Sequence, residues 1–374
     1  MPRTYRRFTE RVFLFLNILL AVVFLLASLI PFLNPKDWWF ISLLGFGFAP
    51  LFFALVLCTL LWLIFKPRYV LVSLVPLLIG WQSVVVLLAV NTPGQFNYQK
   101  PKGAIRVASW NVARFIEWKR NNNKGSQTRL KMMDLLKEQN ADVLCLQEFF
   151  HSTDTNYYDN LGKIMNDLGY PYYHFAWDRK GRGQYYGQAI FSRYPILDSG
   201  LVRYPRPGQT ESLLYADIKV NADTVRFYTT HLQSVHFRKD DFQDVEEIKS
   251  RDDSLIENSR NIFAKLKRGI IFRSRQAGIV RELLGDAPYP YIFTGDFNDV
   301  PNSYAYFTIR QNLQDAFLEK GFGIGRTYTS LSPTLRIDYI LATRDFRVQQ
   351  FNRLVKDYSD HYLLVADLKL RKRD

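Results

Sequence analysis

The chain has 374 residues and a formal net charge of +14, from 49 Lys and Arg against 35 Asp and Glu. That length admits more than one domain, and the basic balance points to anionic partners. The two cysteines, Cys58 in an apolar run and Cys145 in a strand-like one, argue against an intrachain disulfide and leave the redox compartment open. The charge is unevenly spread: residues 1–98 hold seven basic and two acidic side chains, and the remainder holds 42 and 33, a net +9.

Three uncharged apolar runs fill the first ninety residues, Val12 to Leu33, Trp38 to Phe65 and Tyr69 to Val90. Each is long enough to cross about 30 Å of hydrocarbon as a helix, which takes roughly 20 residues. The reading is a membrane region over 1–92 with three transmembrane helices, since a cleaved signal sequence has one shorter apolar region. Pro31, Pro50 and Pro76 are expected to kink or end helices. The tail carries Arg3, Arg6, Arg7 and Arg11, and the second short loop carries Lys66 and Arg68, whereas the first loop has Lys36 beside Asp37. By the positive-inside rule the tail and second loop are cytoplasmic, so everything after the third span is extracytoplasmic, periplasmic or exterior. Trp38, Trp39 and Tyr69 stand at span ends as interfacial aromatics do. The spans contain no ionisable residue, which argues against a transport role.

Asn91 to Gly103 is Pro/Gly/polar in character, and residues 93–103 are read as a linker that holds the following part close to the bilayer. From Ala104 to the end, short apolar strands alternate with helical or loop segments, the pattern of an α/β or α+β domain over 104–374. Neither repeats nor low-complexity tracts interrupt it.

The chemistry-bearing stretches of this part stand at strand ends. Ile105 to Trp110 reads as a strand with Asn111 at its end, a position that a turn-forming Asn also fills. Gln127 to Gln139 reads as an amphipathic helix with Leu130, Met133 and Leu136 on its apolar side. Ala141 to Gln147 is a nearly continuous apolar strand that delivers Glu148 to its carboxyl end, where a carboxylate is either a solvated rim charge or a ligand for a hard divalent cation. Tyr186 to Ile196 is another strand running into a turn, and Arg226 to Leu232 is a β-rich run with His231 near its end. His151 and His174 read as ordinary polar residues. The insert from Gln233 to Asp286 is dense in both charges; its later half, Asn261 to Arg273, reads as a packed helix with solvated Lys and Arg, or as a contact for anionic lipid headgroups.

Phe293-Thr294-Gly295-Asp296-Phe297-Asn298-Asp299 is a short strand ending in a Gly turn. A spacing of two in a pleated chain puts Asp296 and Asn298 on one face, suited to a metal, a water or a phosphate, although a Gly-Asp turn alone is equally punctuation. Asp338 lies within the apolar run Ile337 to Leu341 and needs a partner, because an unpaired buried carboxylate is costly. Asp360-His361 supplies one some twenty residues later, just before the strand Leu363 to Leu370.

SWN, LQE, THL, GDFND, RIDYIL and SDH, in this order over about 270 residues, resemble the endonuclease/exonuclease/phosphatase superfamily, which includes pancreatic-type deoxyribonucleases, apurinic-site endonucleases, inositol-polyphosphate 5-phosphatases and neutral sphingomyelinases. The resemblance implies a four-layered α/β sandwich, two mixed sheets face to face with helices outside, and a site where strand ends meet. It implies that Glu148 binds a divalent metal, Mg²⁺ or Mn²⁺, with Asn111 beside it and Asp360 adding acid to the metal region. Asp296 would orient or deprotonate the attacking water, Asn298 would contact the phosphate, and His231 would donate to the phosphate or the leaving oxygen. Asp338 would fix the tautomer of His361, with the general base assigned either to Asp296 or to that pair. Deoxyribonucleases carry an acid on the strand matching Tyr186 to Arg193 that supports the first histidine; none stands there in this sequence, so the support of His231 is open. The functional expectation is a membrane-anchored, metal-dependent phosphoesterase whose partners are the lipid bilayer and a phosphoester, either a lipid headgroup, another small phosphoester or a nucleic acid. A tethered endo- or exonuclease is the alternative, and a catalytically silent scaffold on the same fold is a second one.

Overall fold

Long apolar runs fold as helices and short ones as strands. The computed structural model describes residues 3–92, 94–117, 123–205, 211–235, 255–330 and 332–371, so the charged first part of the insert, 236–254, lies outside the described residues. Two units separate by their contacts. One is formed by Met1–Leu88, Val235–Ser274 and Val300–Thr308, the other by Ala89–Ser234, Arg275–Asp299 and Ile309–Asp374.

In the first unit the helices are Arg3–Ser28, Pro35–Ser42, Phe48–Phe65, Val70–Ile79 and Trp81–Leu87. Two stretches, Arg7–Phe32 and Pro35–Phe65, are long and apolar enough to cross a membrane. The third apolar run is a bent pair, Pro67–Ile79 and Trp81–Leu87, turned by 72°. Pro76 lies one turn before the break and removes a backbone donor there, which accounts for the bend. Among the described residues the helices long and apolar enough to cross a membrane therefore number two, or three if the bent pair is one. The helix ends at Leu87 rather than at Val90 as expected, because the chain turns extended at Ala89.

A buried amide holds three of these helices together. Asn17 Oδ1 accepts from Trp62 Nε1 at 2.8 Å and from Ser73 Oγ at 2.9 Å, directional bonds that apolar faces cannot supply. Toward one end of the first helix Glu10 pairs with Lys66 at 3.2 Å and Arg68 at 2.9 Å. At the other end Asn302 Nδ2 donates to the Ala27 carbonyl at 2.9 Å. Within the helix Leu255–Gly285, Lys267 Nζ stands 4.8 Å from the Trp39 ring.

The second unit is a mixed α/β fold. Its strands are β1 (Ala89–Val90), β2 (Ala104–Asn111), β3 (Val143–Ser152), β4 (Tyr172–Gly181), β5 (Gln184–Ser192), β6 (Ile196–Arg203), β7 (Ser212–Val220), β8 (Asp223–His231), β9 (Tyr291–Asp296), β10 (Gln314–Asp315), β11 (Phe322–Gly323), β12 (Asp338–Ala342), β13 (Phe346–Leu354) and β14 (Leu363–Leu370). They form two six-stranded sheets, ordered β13-β14-β2-β3-β5-β4 and β10-β12-β9-β8-β7-β6, with β1 and β11 as a separate pair. Both sheets are mixed: β2–β3 and β8–β9 are parallel, and their neighbours antiparallel. Ile105, Val107 and Ile190 of one sheet pack with Leu214, Phe227 and Ile292 of the other in a common core. Between the sheets Gln147 donates to Ser109 Oγ of its own sheet and to Thr229 Oγ1 of the facing one.

A second core lies on the other side of the first sheet, where the helix Asn123–Gln139 packs through Met132, Met133 and Leu136 on Leu144 and Phe191. The stripe is shifted from the expected one: Leu130 is exposed, and Met132 and Leu135 are buried in its place. The expected linker is docked rather than free. Arg106, fully buried, donates to Asp367 at 2.7 and 2.9 Å and to the carbonyls of Tyr98 and Asn97 at 2.8 and 3.0 Å. The charge that the core cannot leave unpaired thus fixes the chain that enters the domain. Cys58 and Cys145 are each buried without a disulfide, as the sequence indicates.

Candidate active site

Three neighbouring strands set one row of side chains across the second sheet. His231 on β8 is opposite Asp296 on β9, and Asp338 on β12 is opposite Asp296 from the other side. Gly295 makes the approach possible. Its φ is +152°, and a Cβ there would lie 2.2 Å from the Thr230 carbonyl oxygen, so only glycine fits.

Asp296, almost completely buried, is the hub. Its Oδ2 accepts from Asn111 Nδ2 at 3.0 Å, and its Oδ1 accepts from the Asn298 backbone N–H at 2.7 Å. Nε2 of His231 and Nε2 of His361 each lie 3.6 Å from Oδ2. The pleat does not bring Asn298 to Asp296, contrary to the expectation. The strand ends at Asp296, Asn298 adopts a left-handed φ of +51°, and its Nδ2 donates to the Leu232 carbonyl at 3.0 Å. The two residues meet through an Asx turn instead.

Asp338 and His361 form the pair that burial demanded. Nδ1 of His361 lies 2.9 Å from Oδ2 of Asp338, which leaves Nε2 facing Asp296. The histidine is anchored by the first motif: Trp110 Nε1 donates to the His361 carbonyl at 2.8 Å, and Ser359 Oγ donates to the Asn111 carbonyl at 2.8 Å. Burial disfavours charge on His361, but Asp338, Asp296 and Asp360 outweigh it and hold its proton well above the ordinary histidine range. Burial pushes the Asp338 carboxyl up to about 6, against the pull of His361. His231 is likewise raised: burial opposes its charge, and Asp296, Glu211 and Glu148 together exceed that effect.

Glu148 is not at a strand end. β3 continues to Ser152, and Glu148 sits where its register with β5 slips between Leu146 and Phe149, at φ +50°. A bulge of this kind re-aims one side chain. Here it leaves the carboxylate partly exposed, 4.0 Å from His231 Nε2. Asp360 is exposed, yet desolvation in the crowded site and then the charges of Glu148 and Asp296 raise its carboxyl. Because water still reaches Asp360, the like-charge repulsion is the firmer part of that shift. Among the described residues Asn111 Oδ1 accepts only the Ala113 N–H, at 3.1 Å, so an amide lone pair remains. Glu148 and Asp360 carry mutually repelling carboxylates, and with the Asn111 amide they offer oxygen ligands of the kind a hard cation such as Mg²⁺ takes. Asp296, Asp338 and His361 also bring ligand atoms within 4.8 Å of one another. The His361–Asp338 hydrogen bond already engages two of that trio, so we read it as a proton-holding group.

Two features escaped the sequence. Glu211, buried, precedes β7; its carboxylate accepts from the Ser234 N–H at 3.1 Å and from Gln276 Nε2 at 3.3 Å, while Gln276 Oε1 accepts from the Gln233 N–H at 2.8 Å. It braces the chain leaving His231 and lies near enough to favour the imidazolium, the support that β5 lacks. No spacing rule links it to His231, which is twenty residues away along a hairpin. The second feature is the run Ala113 to Ile116, four consecutive non-glycine residues with φ between +43° and +57°. Left-handed backbone costs roughly 1–2 kcal/mol per residue, and the burial of Phe115 and Glu117 on either side of Arg114 offsets it. His151 and His174 stand outside the site, His151 stacked on Tyr185.

The sequence model described as "Endonuclease/Exonuclease/phosphatase family" matches residues 108–361, and a model described as a domain of unknown function matches 10–87. No curated protein matches. Among solved structures, an endonuclease/exonuclease/phosphatase from Beutenbergia cavernae is similar at 22% identity and a TM-score of 0.53, covering 72% of each chain. A humanized D. rerio TDP2 follows at 18% identity and 0.50, covering 72% of this chain and all of that one. The human Nocturnin catalytic domain with bound sulfate follows at 19% and 0.50, covering 73% and 97%. At these identities the structures establish a shared fold.

Proposed function

The chain belongs to the endonuclease/exonuclease/phosphatase family, whose members are phosphoester hydrolases, and from that premise we propose that it is a membrane-anchored, divalent-metal-dependent phosphoesterase. The observation that carries this reading is the convergence of Asn111, His231 and His361 on the single buried carboxylate of Asp296. Phosphoester hydrolysis adds charge to an anion, so a site for it needs cationic donors for the nonbridging oxygens and a group that orients water in line.

Each role follows from position. Asp296, fixed by Asn111 and by the Asn298 N–H, accepts a hydrogen bond from the attacking water. His361, its Nδ1 held by Asp338, presents Nε2 to the same water or to the phosphoryl oxygen. His231, kept protonated by the surrounding acids, donates to the phosphate or the leaving oxygen. Asn298 faces the phosphate with its remaining amide capacity. A Mg²⁺ or Mn²⁺ held by Glu148, Asp360 and Asn111 supplies Lewis-acid stabilisation of the phosphoryl group when bound.

The anchor is the apolar helical region, and its polarity rests on the first unit. Arg7 and Arg11, with the Glu10, Lys66 and Arg68 cluster, lie toward one end of the first helix, and the Asn302 to Ala27 bond lies at the other. With the bent pair counted as one crossing, the positive-inside rule supports an extracytoplasmic catalytic domain. Tethering at a bilayer raises the effective concentration of surface phosphoesters and favours a lipid headgroup or another envelope phosphoester. The net +9 of the remainder favours a second reading, a tethered nuclease. The test is Mg²⁺-dependent release, by the full-length protein in detergent, from a sphingomyelin-type lipid and from supercoiled DNA, each with an EDTA control. Turnover of the lipid alone supports the first reading, turnover of DNA the second, and turnover of neither, nor of bis-p-nitrophenyl phosphate, overturns both.

A further inference from the structure

From Arg260 to Arg275 the chain holds six basic residues and no acid. This stretch lies within the helix Leu255–Gly285, and up to Ser274 it belongs to the first unit together with the apolar helices. The inward face of the helix here is Gly269, Ile270 and Ser274, all buried. Arg260, Phe263 and Lys267, at spacings of three and four, form one exposed stripe, with Arg268 exposed beside it. Among the described residues no acid pairs with Arg260, Lys267 or Arg268.

The stripe meets a group of aromatic side chains. Lys267 Nζ stands 4.8 Å from the Trp39 ring, and the Phe40 ring lies 6.2 Å from Trp39 and 5.8 Å from Trp38. These three residues belong to the helix Pro35–Ser42, which begins just after the first membrane-length stretch ends at Phe32. Indole rings at the end of an apolar span sit at the level of the lipid headgroups, so an ammonium over Trp39 is held at that level too. The acid of that first turn, Asp37, follows Lys36 directly, and the two charges cancel.

A helix that simply packs on the protein and turns solvated cations outward has no use for apolar groups among them. Here Phe263, Trp38 and Phe40 are 52%, 45% and 50% exposed beside the cations. Bulky apolar and basic side chains on one outward face are the pattern of a helix lying in a membrane interface, where the rings enter the acyl boundary and the cations meet phosphates. Continuity of the aromatic group with an apolar span favours lipid over a soluble polyanion as the occupant.

We propose that this face is a docking surface for anionic lipid headgroups, with lipid phosphates on Arg260, Lys267 and Arg268 and the Phe263 ring in the acyl boundary. It rests on the reading of the apolar helices as a membrane anchor and is independent of the catalytic reading.

The experiment begins with alkaline carbonate extraction of membranes holding the full-length protein. Release into the supernatant overturns the anchor reading and the lipid surface with it; retention leads to the second step. Purified protein in dodecyl maltoside is then given an equimolar mixture of dioleoyl-phosphatidylglycerol and dioleoyl-phosphatidylcholine, and bound lipid is counted by native mass spectrometry. The expected result is at least about a fivefold excess of phosphatidylglycerol. In Arg260→Gln/Lys267→Gln/Arg268→Gln the excess falls at least about threefold, and Arg260→Lys/Lys267→Arg/Arg268→Lys retains it. Turnover of bis-p-nitrophenyl phosphate is unchanged in both variants, since none of the three residues stands in the catalytic site. Equal retention of the two lipids overturns the surface, as does an excess that the glutamine variant keeps. A single-stranded oligonucleotide that displaces phosphatidylglycerol from wild type but does not bind the glutamine variant assigns the face to nucleic acid and overturns it also. If the glutamine variant fails to fold, a photoreactive phosphatidylglycerol with the label in its headgroup decides on wild type alone. Labelling of the peptide 260–268 is expected, and labelling confined to the peptides of Arg7, Arg11, Lys66 and Arg68 overturns the proposal.

Discussion

His361 Nδ1 lies 2.9 Å from Asp338 Oδ2, both side chains buried, so the imidazole can present only Nε2 to Asp296 and the site. Replacing the carboxylate by an amide keeps the shape but removes the charge, and an amide can turn its NH2 group to Nδ1 and favour the other tautomer. We predict that Asp338→Asn lowers kcat on bis-p-nitrophenyl phosphate by about 10³-fold, within the range of a positioned proton donor or acceptor. A loss under about threefold, far below that range, would remove the Asp338–His361 pair from the chemistry.

A bulge turns the Glu148 carboxylate toward the site with its surface partly open. Glu148→Gln keeps an oxygen but removes the charge. Mg²⁺ binding, followed by titration calorimetry of the full-length protein in detergent, should weaken by at least about tenfold. An unchanged Kd would place the cation elsewhere.

Glu211 is buried and burial lifts its carboxyl from 4.5 to about 7. The folded state therefore binds this proton more tightly than the unfolded one. Its contribution is present at and below the unfolded value and is lost as pH rises from about 4.5 to about 7. The shift corresponds to on the order of 3 kcal/mol. Thermal unfolding across that window should show wild type losing stability relative to Glu211→Gln as pH rises. Parallel pH curves would show that Glu211 titrates normally.

Arg106 is fully buried with Asp367 and also holds the carbonyls of Asn97 and Tyr98. Arg106→Leu leaves Asp367 buried without its cation, a change that costs about 3–5 kcal/mol. We expect a Tm lowered by several degrees and faster proteolysis at residues 94–103, where the docked segment loses its anchor. Asp367→Leu combined with Arg106→Leu should recover part of the Tm, because no unpaired charge remains.

Residues that a strand end must present were legible in the sequence, and residues that depend on local backbone exceptions were not. Asp338 and His361 could be paired by cost alone, since a carboxylate within an apolar run needs a partner. Asp296 was legible because a strand-Gly-Asp pattern exposes it. The placement of Glu148 was read one step wrong: alternation cannot show a bulge, and the register slip, not the strand end, aims it. The left-handed turn at 113–116 has no glycine to announce it. Leu130 was assigned to a buried stripe by a 3.6-residue period, yet the burial of Met132 and Leu135 shows a face set by the sheet beneath. Glu211 and the docking of 94–103 by Arg106 depend on tertiary contacts between distant segments, which no local pattern encodes.

We propose that Asp296 organises a metal-assisted phosphoester hydrolysis. The most direct measurement is turnover of bis-p-nitrophenyl phosphate by full-length protein in detergent, wild type against Asp296→Asn, with Mg²⁺, with EDTA, and with Mg²⁺ restored. We expect turnover in wild type that EDTA abolishes and Mg²⁺ restores, and a loss of about 10³-fold or more in Asp296→Asn with the thermal midpoint retained. Equal rates in the two proteins, or no turnover by a folded wild type that binds Mg²⁺, would contradict it.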